Sequence, residues 1–148
     1  MDDNDRKLIN LLQENARYSL KQLSEKVFLS SPAVAARISK LEHNGLILGY
    51  HASANYDRMG FHILAFINLV MQPKMKSDFT AFIQNVPNVL ECHVVSGNYT
   101  MLMKAAFPST TELDQFIAQV QRYGSTETHI VFSTPIQPRG IVLPMEEE

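Results

Sequence analysis

Five cations, Arg17, Lys21, Lys26, Arg37 and Lys40, fall between residues 17 and 44 against two carboxylates, Glu25 and Glu42, a local balance of +3. The whole chain carries −2, so the rest of it carries −5. Local field steers association more than the total does, and a cationic stretch in an acidic chain suits a polyanion. Within it, Ala33, Ala36, Arg37 and Lys40 share one side of a helical repeat, away from the apolar stripe Val34, Ile38 and Leu41. Arginine and lysine donate to guanine edges or phosphate oxygens, while alanine methyls permit close approach and touch a thymine methyl. Ser30 and Ser31 stand at the start of that repeat, where hydroxyls, backbone amides and the helix dipole suit a phosphate oxygen. Arg17, Lys21 and Lys26 suit phosphate clamping or plain solvation equally.

Other chemistries are poorly served. His43, His51, His62, His93 and His129 show no metal-ligand spacing with each other or with Cys92, and no glycine-rich phosphate loop is present. No cofactor and no catalysis are therefore expected. Glu91 and His93 alternate on an extended segment and face one side, as an acid–base pair or as a surface pair. Cys92, the single cysteine, has no internal disulfide partner and reads as structural.

The elements that position these residues follow from periodicity. Leu8, Leu11 and Leu12 repeat helically over residues 3 to 15, with Asp2 or Asp5 as cap. Ser19-Leu20-Lys21-Gln22 has the form of a capping box, and Leu20, Leu23 and Val27 follow on one face. Ser31 caps a third helix with Pro32 at its first position, and Asn44-Gly45 ends it. With strand character over Leu46–His51, this predicts a winged helix-turn-helix. Residues 52 to 60 lack periodicity and read as a linkage.

From Phe61 to Met71 the chain is almost continuously apolar, as in a strand buried on both faces. Phe79, Phe82, Ile83 and Val86 mark one helix; Leu113, Phe116, Ile117 and Val120 mark another, opened by Ser109-Thr110-Thr111-Glu112. Between them lie strands at Val89–Ser96 and Tyr99–Phe107 joined at Gly97-Asn98, with a last strand over about Thr128–Thr134. The class is α+β: the winged helix-turn-helix, then a ferredoxin-like βαββαβ unit. Its two helices cover one sheet face only, so a second copy is expected on the other. The expected domains are residues 1–50 (DNA binding), 51–60 (linker), 61–134 (the α+β domain, for oligomerisation) and 135–148 (tail). That last segment, with three prolines and three terminal glutamates, suits an extended arm or disorder equally.

At 45% hydrophobic and 19% charged the chain is expected to fold, and 148 residues allow one ordinary domain or two small ones. No apolar run approaches the roughly 20 residues of a membrane span, and the start Met1-Asp2-Asp3-Asn4-Asp5 is acidic. A cytoplasmic protein is expected.

Asp5-Arg6-Lys7-Leu8-Ile9, Leu11-Leu12-Gln13, Leu29-Ser30-Ser31-Pro32, Arg37-Ile38, Leu41-Glu42, Gly45-Leu46-Ile47 and Gly49-Tyr50 resemble the reader domain of the leucine-responsive regulator/AsnC family of transcription regulators. Pro87-Asn88-Val89, Glu91-Cys92-His93, Ser96-Gly97-Asn98-Tyr99 and Glu127-Thr128 resemble its ligand-sensing half. The resemblance implies binding to double-stranded DNA, dimers assembling into tetramers or octamers, and an amino-acid effector. It places that effector on the loop Ser96, Gly97, Asn98, Tyr99 and Thr100, with Thr126, Glu127 and Thr128 facing it from a neighbouring subunit. Acidic residues usual in the family are replaced here by Asn98 and Thr100, removing charges that would hold an ammonium group. Met101 and Met103 offer an adaptable apolar wall for a leucine- or methionine-like side chain, or serve as core. The reading is an effector-modulated, sequence-specific DNA-binding regulator. Its alternatives are an architectural DNA-binding protein without an effector and a small-molecule binder that does not need DNA.

Overall fold

The computed structural model describes residues 1–145, and the three terminal glutamates lie outside the described residues. Two compact units divide the chain: residues 1–53 together with the tail from Ile136, and residues 54–135.

The first unit is built on three helices, α1 (Asp3–Glu14), α2 (Leu20–Val27) and α3 (Ser31–His43). Asp2 caps α1 by accepting from Asp5 N at 2.9 Å, while the Asp5 carboxylate accepts from Asp2 N at 3.2 Å. Ser19 and Gln22 make the same reciprocal pair on α2, satisfying donors that the helix start leaves orphaned. The cap of α3 is Ser30 rather than Ser31: Ser30 keeps an extended backbone and its Oγ accepts from Ala33 N, so Ser31 is already helical and Pro32 second. Leu8, Leu23, Val27 and Val34 bury completely or nearly so, with Leu11, Leu12, Tyr18, Leu29 and Ile38 packed around them. Between α2 and α3 the chain turns at Phe28, whose φ of +56° is a left-handed conformation rare for a side chain of that size.

The strand expected over Leu46–His51 is absent. A strand exists only against a partner, and this segment has no ladder in the single chain. Tyr50 ties it back instead, its hydroxyl donating to Glu42 on α3 at 2.8 Å. Burial and that bond push the Tyr50 phenol up to about 12.

In the second unit a four-stranded antiparallel sheet runs in the order β2 (Val89–Val94), β3 (Met101–Phe107), β1 (Ile63–Met71), β4 (Gly124–Ile130). Helices α4 (Lys76–Ile83) and α5 (Thr110–Val120) complete the βαββαβ order. Val86 packs against the core from beyond the end of α4. β4 begins four residues before its expected start, because its register against β1 pairs Met71 with Gly124 and Ala65 with Ile130. Gly124 is required there: a Cβ would fall inside the van der Waals envelope of Val70 O.

Within the single chain, strand β1 is buried on one face. Ala65, Ile67, Leu69 and Met71 pack against Phe79 and Ile83 of α4 and Leu113, Phe116 and Val120 of α5. Leu64, Phe66 and Asn68 are half-buried and Val70 is exposed on the opposite face, which the helices leave open. Met101 and Met103 belong to the covered core, so neither is a ligand wall.

Candidate nucleic-acid interface and effector loop

Helix α3 brings Ala33, Ala36, Arg37 and Lys40 to one side, where they line a shallow depression with Met1, Asp2 and Asp5. Ala36 and Lys40 are exposed, and Lys40 has no acidic partner among the described residues. Arg37 stands differently. Its Nη1 donates to Asp2 Oδ2 at 2.6 Å and to Asp5 Oδ1 at 2.7 Å. These are charge-assisted bonds, and they tie α3 to the start of α1. The two carboxylates raise the Arg37 pKa further, while the Asp5 amide and then Arg37 hold Asp2 below the usual carboxylate range. Sequence spacing alone missed this, since the partners are more than thirty residues away. The cue was the acidic run Asp2–Asp5 itself.

Ser30 Oγ is engaged as the cap acceptor but keeps its own proton to donate. Ser31 Oγ leans on Ser24 Oγ at 3.4 Å. Two cations on neighbouring elements sit over rings: Lys26 Nζ is 5.1 Å from the Tyr18 centroid and Lys7 Nζ is 5.3 Å from that of Phe28.

In the second unit Val95 N donates to Thr100 O at 3.1 Å, closing a loop around Gly97, whose φ is +104°. Ser96, Gly97 and Asn98 are exposed. Thr100 is committed to the sheet: its N donates to Leu69 O at 2.8 Å, and its Oγ1 accepts from Met71 N at 3.2 Å. Residues 126–128 divide between the two faces of the sheet. Thr126 and Thr128 pair with Leu69 and Ile67 on the covered face, and Thr126 Oγ1 accepts from Gln121. Glu127 pairs with Asn68 on the open face, where it accepts the Tyr99 hydroxyl within the same chain. That bond raises the Tyr99 phenol pKa. Within the single chain, loop and strand are thus already joined through Tyr99 and Glu127.

Glu91 accepts from Lys104 Nζ at 3.1 Å and lies 3.3 Å from His93 Nε2. Lys104 first and His93 second lower its pKa, opposite to the shift that would suit a general acid near neutrality. No cluster of three or more metal-ligating side chains occurs among the described residues, and no helix there is long and apolar enough to cross a membrane.

Comparison with known proteins agrees with both halves. Residues 1–42 match the AsnC-type helix-turn-helix domain and residues 64–141 the Lrp/AsnC ligand binding domain. The chain is 37% identical over 134 residues to an HTH-type transcriptional regulator of Bacillus subtilis, YezC, covering 90% of this chain and 95% of that one. It is 36% identical over 132 residues to LrpA of the same organism, covering 88% and 97%. Among solved structures, LrpC of B. subtilis superimposes with a TM-score of 0.88 at 26% identity over 93% of this chain and 99% of that one. A Neisseria meningitidis transcriptional regulator solved with L-Met gives 0.88 at 26% identity over 97% and 96%.

Proposed function

Because the chain belongs to the Lrp/AsnC family of HTH-type transcription regulators, we propose that it binds specific operators and that an apolar amino acid, leucine or methionine, sets its affinity for them. The observation that carries the DNA-reading half is the outward side of α3, where exposed Ala36 and Lys40 flank Ala33. Lys40 pairs with phosphate or guanine, the alanines admit the groove wall, and Ser30 and Ser31 take phosphate oxygens at the helix N-terminus. Arg37 reads DNA only after exchanging Asp2 and Asp5 for phosphate.

For the effector, Glu127 supplies the carboxylate that Asn98 and Thr100 do not. It would hold an ammonium group on the open face beside Tyr99, with Ser96, Gly97 and Asn98 offering main-chain and amide groups. Of the assigned residues, Thr126 and Thr128 serve by fixing the strand that carries Glu127, and Thr100 by fixing the loop. The methionine bound to the Neisseria relative supports an apolar amino acid as the class. A second copy over Leu64, Phe66 and Val70 would cover the open face, and further assembly to tetramers or octamers would set several readers along one duplex.

Selection from a random duplex pool followed by fluorescence anisotropy tests the reading. Operators bound at least about 10³-fold tighter than scrambled DNA support it, and a ratio near one makes the protein architectural. Thermal melting against the twenty amino acids tests the effector, since a ligand of the folded state raises the melting temperature by mass action. A shift with leucine or methionine that Glu127→Gln abolishes is expected; no shift at millimolar concentration removes the amino-acid effector.

A further inference from the structure

Helix α1 carries a second set of polar side chains that DNA reading does not use. Arg6, Asn10 and Gln13 are spaced by four and three residues and so share one helix face. Each grips main chain of the tail. Arg6 Nη1 donates to Pro144 O at 3.1 Å, Asn10 Nδ2 to Leu143 O at 2.9 Å, and Gln13 Nε2 to Ile141 O at 3.0 Å. Asn10 Oδ1 also accepts from Leu143 N at 2.9 Å. One carboxamide thus satisfies both backbone groups of one residue, as a neighbouring strand does in a sheet.

These bonds fall on main chain, and among residues 140–145 only Leu143 is half-buried. Ile141 and Val142 are each 80% exposed. Gly140 marks the closeness of the fit, since a Cβ there would collide with the side chain of Gln13. The match to the ligand binding domain ends at residue 141, so Val142, Leu143 and Pro144 lie beyond it.

We propose that the row Arg6, Asn10 and Gln13 is a receptor for an extended main chain, and that its occupant is residues 140–144 of the same chain. The reader is then a discontinuous fold of residues 1–53 plus tail, and residues 54–135 form an insertion joined to it at both ends. α1 holds the tail with one set of side chains and Arg37 with another, Asp2 and Asp5. Tail docking therefore anchors the helix that restrains the recognition arginine.

Amide hydrogen exchange on the full chain tests this at a single atom. The Leu143 amide is expected to exchange at least about ten-fold slower than an unprotected amide. Asn10→Ala is expected to release it to the unprotected rate while Leu23 and Val27 stay slow; alanine favours the helix, so loss of folding is not a competing explanation. An unprotected Leu143 amide in the wild type overturns the proposal, as does protection that survives Asn10→Ala. Cross-linking identifies the occupant: with Cys92→Ser, Glu14→Cys and Ile141→Cys, which leave Arg6, Asn10 and Gln13 in place, joined by a bismaleimide, a product of single-chain mass supports it. A product of two-chain mass overturns the assignment to the same chain.

Discussion

Arg37 Nη1 lies 2.7 Å from Asp5 Oδ1, an ion pair across 32 residues of sequence in which the aspartate also closes the capping box of α1. One carboxylate thus secures a helix start and a residue of the recognition helix, with Asp2 as second acceptor at 2.6 Å. Arg37 is only partly exposed, so the pair is worth more than an ordinary surface bridge, about 1 kcal/mol in all. The double variant Asp2→Asn, Asp5→Asn is expected to melt a few degrees lower and to bind DNA more tightly. Freed of carboxylates, Arg37 adds a phosphate contact, steepening the slope of log K against log salt by about one. An unchanged slope would leave Arg37 to the fold alone.

Lys40 gives the opposite pattern. It is exposed and has no acidic partner among the described residues, so Lys40→Ala should leave the melting temperature within about 1 °C while reducing the salt slope by about one. Titrating operator binding from low to high salt measures both slopes in one series.

Acid should act on the same clasp. Asp2 is held below the usual carboxylate range, so its folded pKa is depressed relative to the unfolded chain. A depressed pKa adds stability above the unfolded value, about 3.9, and that stability is lost as pH falls through the folded value. Melting curves from pH 7 to pH 3 should therefore show the wild type losing its margin over Asp2→Asn only below about pH 4. A margin that vanished between pH 6 and 7 would place the controlling group elsewhere.

Phe28 is 88% exposed, yet it is not an indifferent surface position. Its φ of +56° admits glycine or asparagine with ease and β-branched residues poorly. Phe28→Asn should change stability by less than about 1 kcal/mol, since relief of strain offsets the lost Lys7 contact. Phe28→Val should cost more than about 1 kcal/mol, measurable by urea unfolding.

At Gly124 any side chain strikes Val70 O. Gly124→Ala should destabilise the second unit by about 3 kcal/mol or more, through a steric clash at the first β1–β4 pair. Ser125→Ala, one residue along and exposed, is the control and should be nearly neutral.

Sequence by itself determined what depends on near neighbours. The capping box Ser19–Gln22, the stripe Val34, Ile38 and Leu41, and the hairpin at Gly97 are local: a cap bonds three residues on, a helix face repeats every three or four, and a turn needs one permissive φ. The βαββαβ order follows from such pieces laid end to end, and the family could be named from short motifs for the same reason. Tertiary structure decided whatever rests on partners far along the chain. Arg37 looks free until Asp2 and Asp5 arrive, Thr126 and Thr128 part from Glu127 because strand pleat sends alternate residues to opposite faces, and Leu46–His51 has strand residues without a strand to pair. The tail finds its place only because Asn10, on a helix 133 residues earlier, offers a donor and an acceptor together. A polar side chain has no direction until the backbone around it is folded, which is why its type could be read in advance and its partner could not.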